Sequence, residues 1–446
     1  MEIDESIFRA YDIRGIYPRQ INEELAYKLG RSFATFNKGK IVVGRDARIG
    51  GEVLKENLIK GLIESGAEVI DIGIVPTPLI IFSIKYYNFD GGICITASHN
   101  PKEYQGFLFY NKEGIGIGLE NGLEEIKENV RSEKFTEGKG ILLRKNILQD
   151  YINFISDKIN IKDAKMKVVI DCGNGVASVV LPKLLNRFGI EYFPLFCSLD
   201  GNFPNRDPEP RMDNLKALQE KVVELKADCG FAYDGDADRV VGVDEKGNVL
   251  TPNQFFCVLI KSYLENKKEK VVHDSLSSLT IDELVKYYKG FPIGCRVGHV
   301  FIQKKLLEEN AAIGGEISGH YFFNELFGAD DASFATLKVL EYLNKKKIKL
   351  SEVYKELPSY YFDSIRVKTK EEEKFKFIEN LKTEFKEKNY KIDCSDGVKI
   401  IFDDSWILLR ASNTEPKISI AYESKTEEGF EKLKKFVNEI VKKIPK

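Results

Sequence analysis

Three short polar stretches hold the residue types that could do chemistry together. Thr96-Ala97-Ser98-His99-Asn100-Pro101 follows the apolar run Gly91-Gly92-Ile93-Cys94-Ile95, which reads as a buried strand, so Ser98 offers a hydroxyl where a strand ends. His99 can move a proton, Asn100 can orient a phosphate or carbonyl oxygen, and Pro101 stiffens the exit. An ordinary polar turn would use the same residue types. The second stretch is Asp234-Gly235-Asp236-Ala237-Asp238-Arg239, after Cys229 to Tyr233. In an extended loop, residues two apart point the same way, so the three carboxylates can converge on one hard cation, for which Mg²⁺ is expected. A solvated acidic turn is the alternative, because uncompensated carboxylates this close repel one another. An EF-hand is a poor match: Glu245 stands at the twelfth position, but Val240, Val241 and Val243 read as a strand where ligands should continue. The third stretch, Arg410 to Lys417, groups a guanidinium with Ser412, Asn413 and Thr414, donors that could surround a phosphate or simply close a hairpin. Near the start, Phe8 to Gly15 reads as a loop in which Arg9, Tyr11 and Arg14 could meet a phosphate or pair with surface carboxylates.

The elements that must position these loops recur. Ile41 to Val43, Glu68 to Ile74 and the serine loop form one series, with amphipathic helix patterns at Glu23 to Phe36 and Glu52 to Ser65. Val168 to Asp171, Ile190 to Phe196 and the aspartate loop repeat it. Val271 to Asp274, Phe291 to Val297 and Ala312-Ile313 lead the same way into Gly315-Glu316-Ile317-Ser318-Gly319-His320. Strands alternating with helices predict three similar α/β domains with mixed, mainly parallel sheets, whose active groups gather at strand carboxyl ends. The last region has a different pattern. Strands at Phe362 to Lys368, Gly397 to Phe402, Ser405 to Arg410 and Ile418 to Glu423, with helices at Glu371 to Lys388 and from Glu427, predict a C-terminal α+β domain.

At 446 residues the chain exceeds what one core usually serves, and its net charge of -2, with Lys and Glu interspersed, excludes the sustained basic face that nucleic acid or an acidic membrane would need. Seven cysteines, at 94, 172, 197, 229, 257, 295 and 394, are scattered without a zinc or redox spacing and are expected to be reduced core residues. With no basic and apolar leader and no long apolar run, a cytoplasmic protein without a membrane partner is expected.

Taken in order, these motifs resemble the α-D-phosphohexomutase family over essentially the whole chain. Thr96 to Pro101, Asp234 to Arg239, Gly315 to His320 and Arg410 to Pro416 look like its phosphoserine, metal, sugar and phosphate loops, and Phe8 to Gly15 and Gly201 to Pro208 match further patterns. The resemblance implies four domains around a central cleft, here 1–145, 146–248, 249–358 and 359–446. It implies that Ser98 carries a phosphoryl group and that Mg²⁺ is held by Asp234, Asp236, Asp238 and a phosphoserine oxygen. The reaction would exchange phosphate between positions 1 and 6 of a hexose phosphate through a hexose 1,6-bisphosphate, with glucose 1,6-bisphosphate as activator. Glu316 and Ser318 would hold the sugar, Arg410, Ser412, Asn413 and Thr414 its phosphate, and Arg9, Tyr11, Arg239, Arg296 and His320 would complete the substrate contacts.

Ile317 and Asn413 resemble the bifunctional phosphomannomutase/phosphoglucomutase branch more than the phosphoglucosamine branch, which is the alternative. A monomer or homodimer is expected. One position departs: where relatives often carry a lysine after Gly-Phe, this chain has Leu108. Arg14, His99, Lys102 and His299 are the candidates to compensate, Arg14 for charge stabilisation and His299 as proton carrier, since a guanidinium holds its proton too tightly to act as a base. That missing lysine also motivates a rival assignment, a non-catalytic sugar-phosphate binding protein, and a phosphatase is the remaining enzyme option.

Overall fold

The computed structural model describes residues 4–265, 267–412 and 416–445. The chain divides into two compact units, Met1–Ser262 with Ser318–Lys355 and Tyr263–Ile317 with Glu356–Lys446. Among the described residues no helix is long and apolar enough to cross a membrane.

The first unit holds two sheets. One has six strands in the order Ile13–Ile16, Tyr104–Asn111, Gly91–Ile95, Lys40–Arg45, Glu68–Ile74 and Ile141–Arg144. The last four run parallel and the first two are antiparallel additions. Ile41, Val42 and Val43 are all buried, as expected for a parallel strand covered on both faces. Helices Glu23–Phe36 and Gly51–Glu64 cross at a reciprocal pair of glycines. A Cβ on Gly30 would lie 2.1 Å from the Leu58 carbonyl oxygen, and one on Gly61 would lie 2.1 Å from that of Tyr27, so any side chain there would push the helices apart. The second sheet has the order Val240–Asp244, Cys229–Tyr233, Lys167–Asp171 and Glu191–Leu195, with only the first strand antiparallel.

In the second unit, Lys270–Asp274 lies between Phe291–Cys295 and Ile313–Gly315, parallel to both. The repeat expected from the sequence is therefore present as one topology used three times. The first strand of each series is central, the second flanks it on one side and the third on the other. The serine, aspartate and glutamate loops each follow that third strand.

The C-terminal sheet of this unit is antiparallel, in the order Tyr361–Lys368, Lys417–Ser424, Ser405–Ala411, Val398–Ile401 and Ile392–Asp393. Alternation along Ser405–Ala411 serves two cores. Ile407 and Leu409 pack with Phe377, Leu381, Val437 and Ile440 beneath helices Glu371–Glu387 and Glu427–Lys443, while Trp406 and Leu408 face Leu276 and Leu279. Burial on both faces explains the unbroken apolar run.

One expectation is corrected here. The stretch Phe8 to Gly15 is not all loop: Ile13–Ile16 is a strand pairing with Tyr104–Asn111. It is an edge strand whose Arg14 and Gly15 blur the alternation, and its Arg14 reaches Asn100 of the serine loop and the buried Asp12.

Candidate active site

The serine loop is held from beneath by a buried arginine. Arg48 donates to the carbonyl oxygens of Ser98 at 2.7 Å, Asn100 at 2.5 Å, Pro101 at 2.7 Å and Tyr104 at 3.1 Å, while its Nε pairs with Asp46 at 3.1 Å. Four carbonyls of the loop thus gain a charged donor, which supports the sharp turn in which Ser98 adopts a φ of 47°. The buried Ser98 hydroxyl donates to Asp234 Oδ2 at 3.0 Å and lies 3.2 Å from His99 Nδ1. Burial first, then the Arg239 and Arg14 cations, push His99 well below the ordinary imidazole value, so the ring is neutral near pH 7. Arg14 donates to Asn100 Oδ1 at 2.6 Å and pairs with Asp12 at 2.8 Å.

The aspartate loop packs directly on the serine loop. A Cβ at Gly235 would lie 2.6 Å from the Ser98 carbonyl oxygen, so glycine is required for the approach, and Ala237 takes a φ of 61° to aim its neighbours inward. One oxygen each of Asp234, Asp236 and Asp238 lies within 4.8 Å of the others, and all three residues are buried. Asp236 Oδ2 accepts from Thr77 Oγ1 at 2.7 Å and Thr96 Oγ1 at 3.2 Å, whereas its buried Oδ1 has no hydrogen-bond partner among the described residues. Burial, then repulsion from Asp234, raises Asp236 to about 8 and pushes Asp238 well above the carboxylate range. These residues fit a divalent cation. An ion would occupy the orphaned oxygen and let all three carboxylates ionise, and an all-oxygen set suits a hard metal.

A second group, Asp238, His320 and Asp330, also converges. Here the imidazole is already committed. His320 Nε2 accepts from Arg239 Nε at 2.9 Å, and because a guanidinium only donates, the ring proton sits on Nδ1, 2.7 Å from Asp330 Oδ2. Burial and Arg239 hold His320 well below the usual imidazole value. Asp330 and His320 thereby orient Arg239, which reaches to 3.9 Å from Asp234 Oδ2.

In the second unit, Glu316 Oε1 accepts from the Gly298 N–H at 2.7 Å. His299 opens the helix His299–Glu308, and Arg296 stacks over Phe301 with its guanidinium carbon 3.3 Å from the ring centre. Arg410 Nε donates to Asp396 Oδ1 at 2.9 Å, and Asp396 Oδ2 accepts from Ser275 Oγ at 2.7 Å and the Val297 N–H at 3.0 Å. The Ser412 N–H donates to the Lys417 carbonyl at 2.9 Å. Asn413 and Thr414 lie outside the described residues.

Family models match four successive segments: phosphoglucomutase/phosphomannomutase alpha/beta/alpha domain I over residues 5–137, domain II over 149–247, domain III over 251–361, and the C-terminal domain over 365–440. The chain belongs to the phosphoglucomutase/phosphomannomutase family. It is 39% identical over 440 residues to a phosphoglucomutase/phosphomannomutase of Thermococcus kodakarensis, covering 95% of each chain. To the phosphomannomutase/phosphoglucomutase of Pseudomonas aeruginosa it is 36% identical over 437 residues, covering 96% of this chain and 94% of that one. A probable phosphoglucosamine mutase of Methanococcoides burtonii is 35% identical over 441 residues, covering 98% and 99%. A family protein of Burkholderia thailandensis superposes with a TM-score of 0.91 at 28% identity, covering 99% and 98% of the two chains.

Within this phosphohexomutase, the structure brings Ser98, His99, Arg14, Asp234, Asp236, Asp238, Arg239 and His320 together in the first unit. Arg9 and Tyr11 are half-buried in the same unit, and the buried Arg9 Nε donates to no described residue. Ser318 also belongs to that unit, while Glu316, Arg296, His299, Arg410 and Ser412 belong to the second. Lys102 is exposed on the serine loop, and Leu108 is buried opposite Cys94. Sequence reasoning missed Arg48, Thr77, Asp330 and Asp396. Nothing in the composition of the stretch after Ile41 to Val43 says that Arg48 folds back beneath another loop.

Proposed function

We propose that this phosphohexomutase moves phosphate reversibly between positions 1 and 6 of mannose and glucose phosphates, with Ser98 as the group that carries the phosphoryl unit. The carrying observation is the buried meeting of the Ser98 hydroxyl with Asp234 at 3.0 Å inside a cluster of three carboxylates. A phosphorylated Ser98 gives its phosphoryl group to one hydroxyl of the bound hexose monophosphate, and the resulting 1,6-bisphosphate returns its other phosphate to Ser98. Asp234, Asp236, Asp238 and a phosphoserine oxygen would hold Mg²⁺, which when bound supplies positive charge to the transferring phosphate.

The chain's own residues supply the rest. Arg239, steered by His320 and Asp330, faces the Asp234 side of the serine and neutralises developing charge. Neutral His99, 3.2 Å from Ser98 Oγ, can exchange a proton with that oxygen as the ester forms and breaks. Arg14 charges the floor of the loop and orients Asn100. Sugar hydroxyls go to Glu316 and Ser318 and the distal phosphate to Arg410, Ser412, Asn413 and Thr414. His299 or Lys102 takes the role that Leu108 cannot; near-normal kcat in both His299→Ala and Lys102→Ala would remove that assignment. The proposed setting is the cytoplasm, with a monomer or homodimer as the working form.

Incubation with glucose 1-phosphate, Mg²⁺ and a trace of glucose 1,6-bisphosphate should yield glucose 6-phosphate; no product would favour a binding protein, and inorganic phosphate a phosphatase. Because relatives called probable phosphoglucosamine mutases are similarly close, kcat/KM should be compared across three sugars. Mannose and glucose 1-phosphates should exceed glucosamine 1-phosphate by about tenfold or more.

A further inference from the structure

Cys172 and Cys197 are 25 residues apart in sequence, yet their sulfurs lie 2.8 Å apart. Scattered cysteines gave no redox spacing in the sequence because this pair is made by the sheet. Asp171 and Leu195 are register partners at the ends of parallel neighbouring strands, and the Cys172 N–H still donates to the Leu195 carbonyl at 3.1 Å. One step beyond, Phe196 turns with a φ of 52°, and Cys197 comes back toward Cys172. Cys172 is fully buried, whereas Cys197 is half-buried beside exposed Ser198 and Leu199. One residue of the pair therefore lies at the surface and the other does not.

We propose that Cys172 and Cys197 form a reversible intramolecular disulfide by exchange with a small disulfide such as oxidised glutathione. Cys197 gives its proton to solvent and its sulfur attacks the small disulfide, forming a mixed disulfide and expelling one thiolate, which takes up a proton. Cys172 then loses its proton, attacks the Cys197 sulfur and expels the second thiolate. Two protein thiols and one small disulfide become one protein disulfide and two small thiols. The two sulfurs differ in the direction this order needs. Its contact with Cys172 lowers the Cys197 thiol below its usual value, while burial holds Cys172 well above it.

The pair sits where a crosslink would be felt by the aspartate loop. Asp171 pairs with Arg206 at 3.0 Å, and Arg206 donates to the carbonyl of Tyr233, the residue before Asp234, at 2.6 Å. The Val176 N–H donates to Gly235 at 3.1 Å, and a Cβ on Gly175 would lie 2.7 Å from that same carbonyl oxygen. Asn174 ties this turn to the Cys197 loop through Phe196 O at 2.7 Å and Ser198 O at 2.8 Å. Closing the disulfide fixes the turn against which the aspartate loop rests, so oxidation should change divalent-cation affinity. This coupling rests on the cation assignment made for that loop; the disulfide itself does not.

The test uses the full chain carrying Cys394→Ser, which removes the exposed cysteine, equilibrated with oxidised glutathione under native conditions. The expected result is a mass lower by about 2 Da, two fewer thiols alkylated after denaturation, and a 172–197 crosslinked peptide that dithiothreitol abolishes. Adding Cys172→Ser should leave Cys197 as a glutathione mixed disulfide, and adding Cys197→Ser should leave Cys172 unmodified. Both thiols still alkylated, a crosslink between other cysteines, or a mixed disulfide that persists with Cys172 present would overturn the proposal. Mn²⁺ binding by the two forms should differ by about fivefold. Equal affinities would remove the coupling alone, and no Mn²⁺ binding by either form would remove the cation assignment while leaving the disulfide standing.

Discussion

The serine and aspartate loops of the first unit differ from the Arg410 region of the second in how their charges are held. Ser98, Asp234, Asp236 and Asp238 are buried and are gripped by groups that do no chemistry themselves: Arg48 beneath the serine loop, Thr77 and Thr96 on Asp236. Burial, then repulsion from Asp234, displaces Asp236 and Asp238 upward, and the Arg14 and Arg239 cations offset this only in part. Arg410 is the opposite case. It is partly exposed and already carries a carboxylate partner, Asp396, which is itself tied to Ser275 and Val297. One region is preorganised and waits for a charge; the other holds a charge in a contact that an incoming anion can replace. On the proposed function this is the expected division: a reacting group must be fixed before its substrate arrives, whereas a binding group serving two sugar orientations must let go.

The contrast breaks most decisively at Ser98. Ser98→Ala should lower mutase activity by at least about 10⁴-fold, and the mass gain of about 80 Da carried by a phosphorylated chain should disappear. Retained turnover with retained phosphate would move the carrier elsewhere. Next in size is Arg48→Met, which strips four carbonyls and Asp46 of their buried donor. Loss of stability should be about 3–5 kcal/mol by denaturant melting, with kcat falling as Ser98 loses its fixed position. A small stability change would mean the loop is held by something other than that guanidinium.

On the other side, Arg410→Met should raise KM for the sugar phosphate by about 10- to 100-fold while kcat and melting temperature change little. Asp396→Asn, which loosens the competing contact, should lower KM by a few-fold or less. If Asp396→Asn instead raised KM as much as Arg410→Met, Asp396 would be orienting the guanidinium rather than competing for it. The two regions would then be built alike.

What was legible in the sequence follows the same division. Ser98 and the three aspartates announce themselves because one loop carries each set, and the strands before them, Gly91–Ile95 and Cys229–Tyr233, are unbroken apolar runs. The threefold repeat was readable because each series begins with a buried strand. Groups that act across the fold were not. Arg48 is 50 residues from Ser98, Thr77 is 159 from Asp236, and Cys172 meets Cys197 only through strand register. The Ile13–Ile16 strand escaped because an edge strand bearing an arginine and a glycine keeps too little alternation to be seen.

The smallest expected effect tests whether burial alone displaces a carboxylate outside the two loops. Asp331 caps the helix Ala332–Lys346, accepting the Phe334 N–H at 2.9 Å and the Tyr151 hydroxyl, and burial raises it from 3.8 to about 6. A carboxyl that binds its proton more tightly folded than unfolded favours the fold below about pH 4. That contribution is lost as pH rises through about 6, and a displacement of this size corresponds to about 3 kcal/mol. Asn caps a helix as well as Asp and carries no charge to bury. Asp331→Asn should therefore stabilise the first unit by about 1–2 kcal/mol at pH 7 to 8, less than the full displacement because its amide must satisfy Tyr151 anew. The gain should shrink toward zero near pH 4, where the native aspartate is already neutral. A gain that does not vary with pH would come from packing, and a loss at pH 7 would show that the ionised carboxylate is held by its partners.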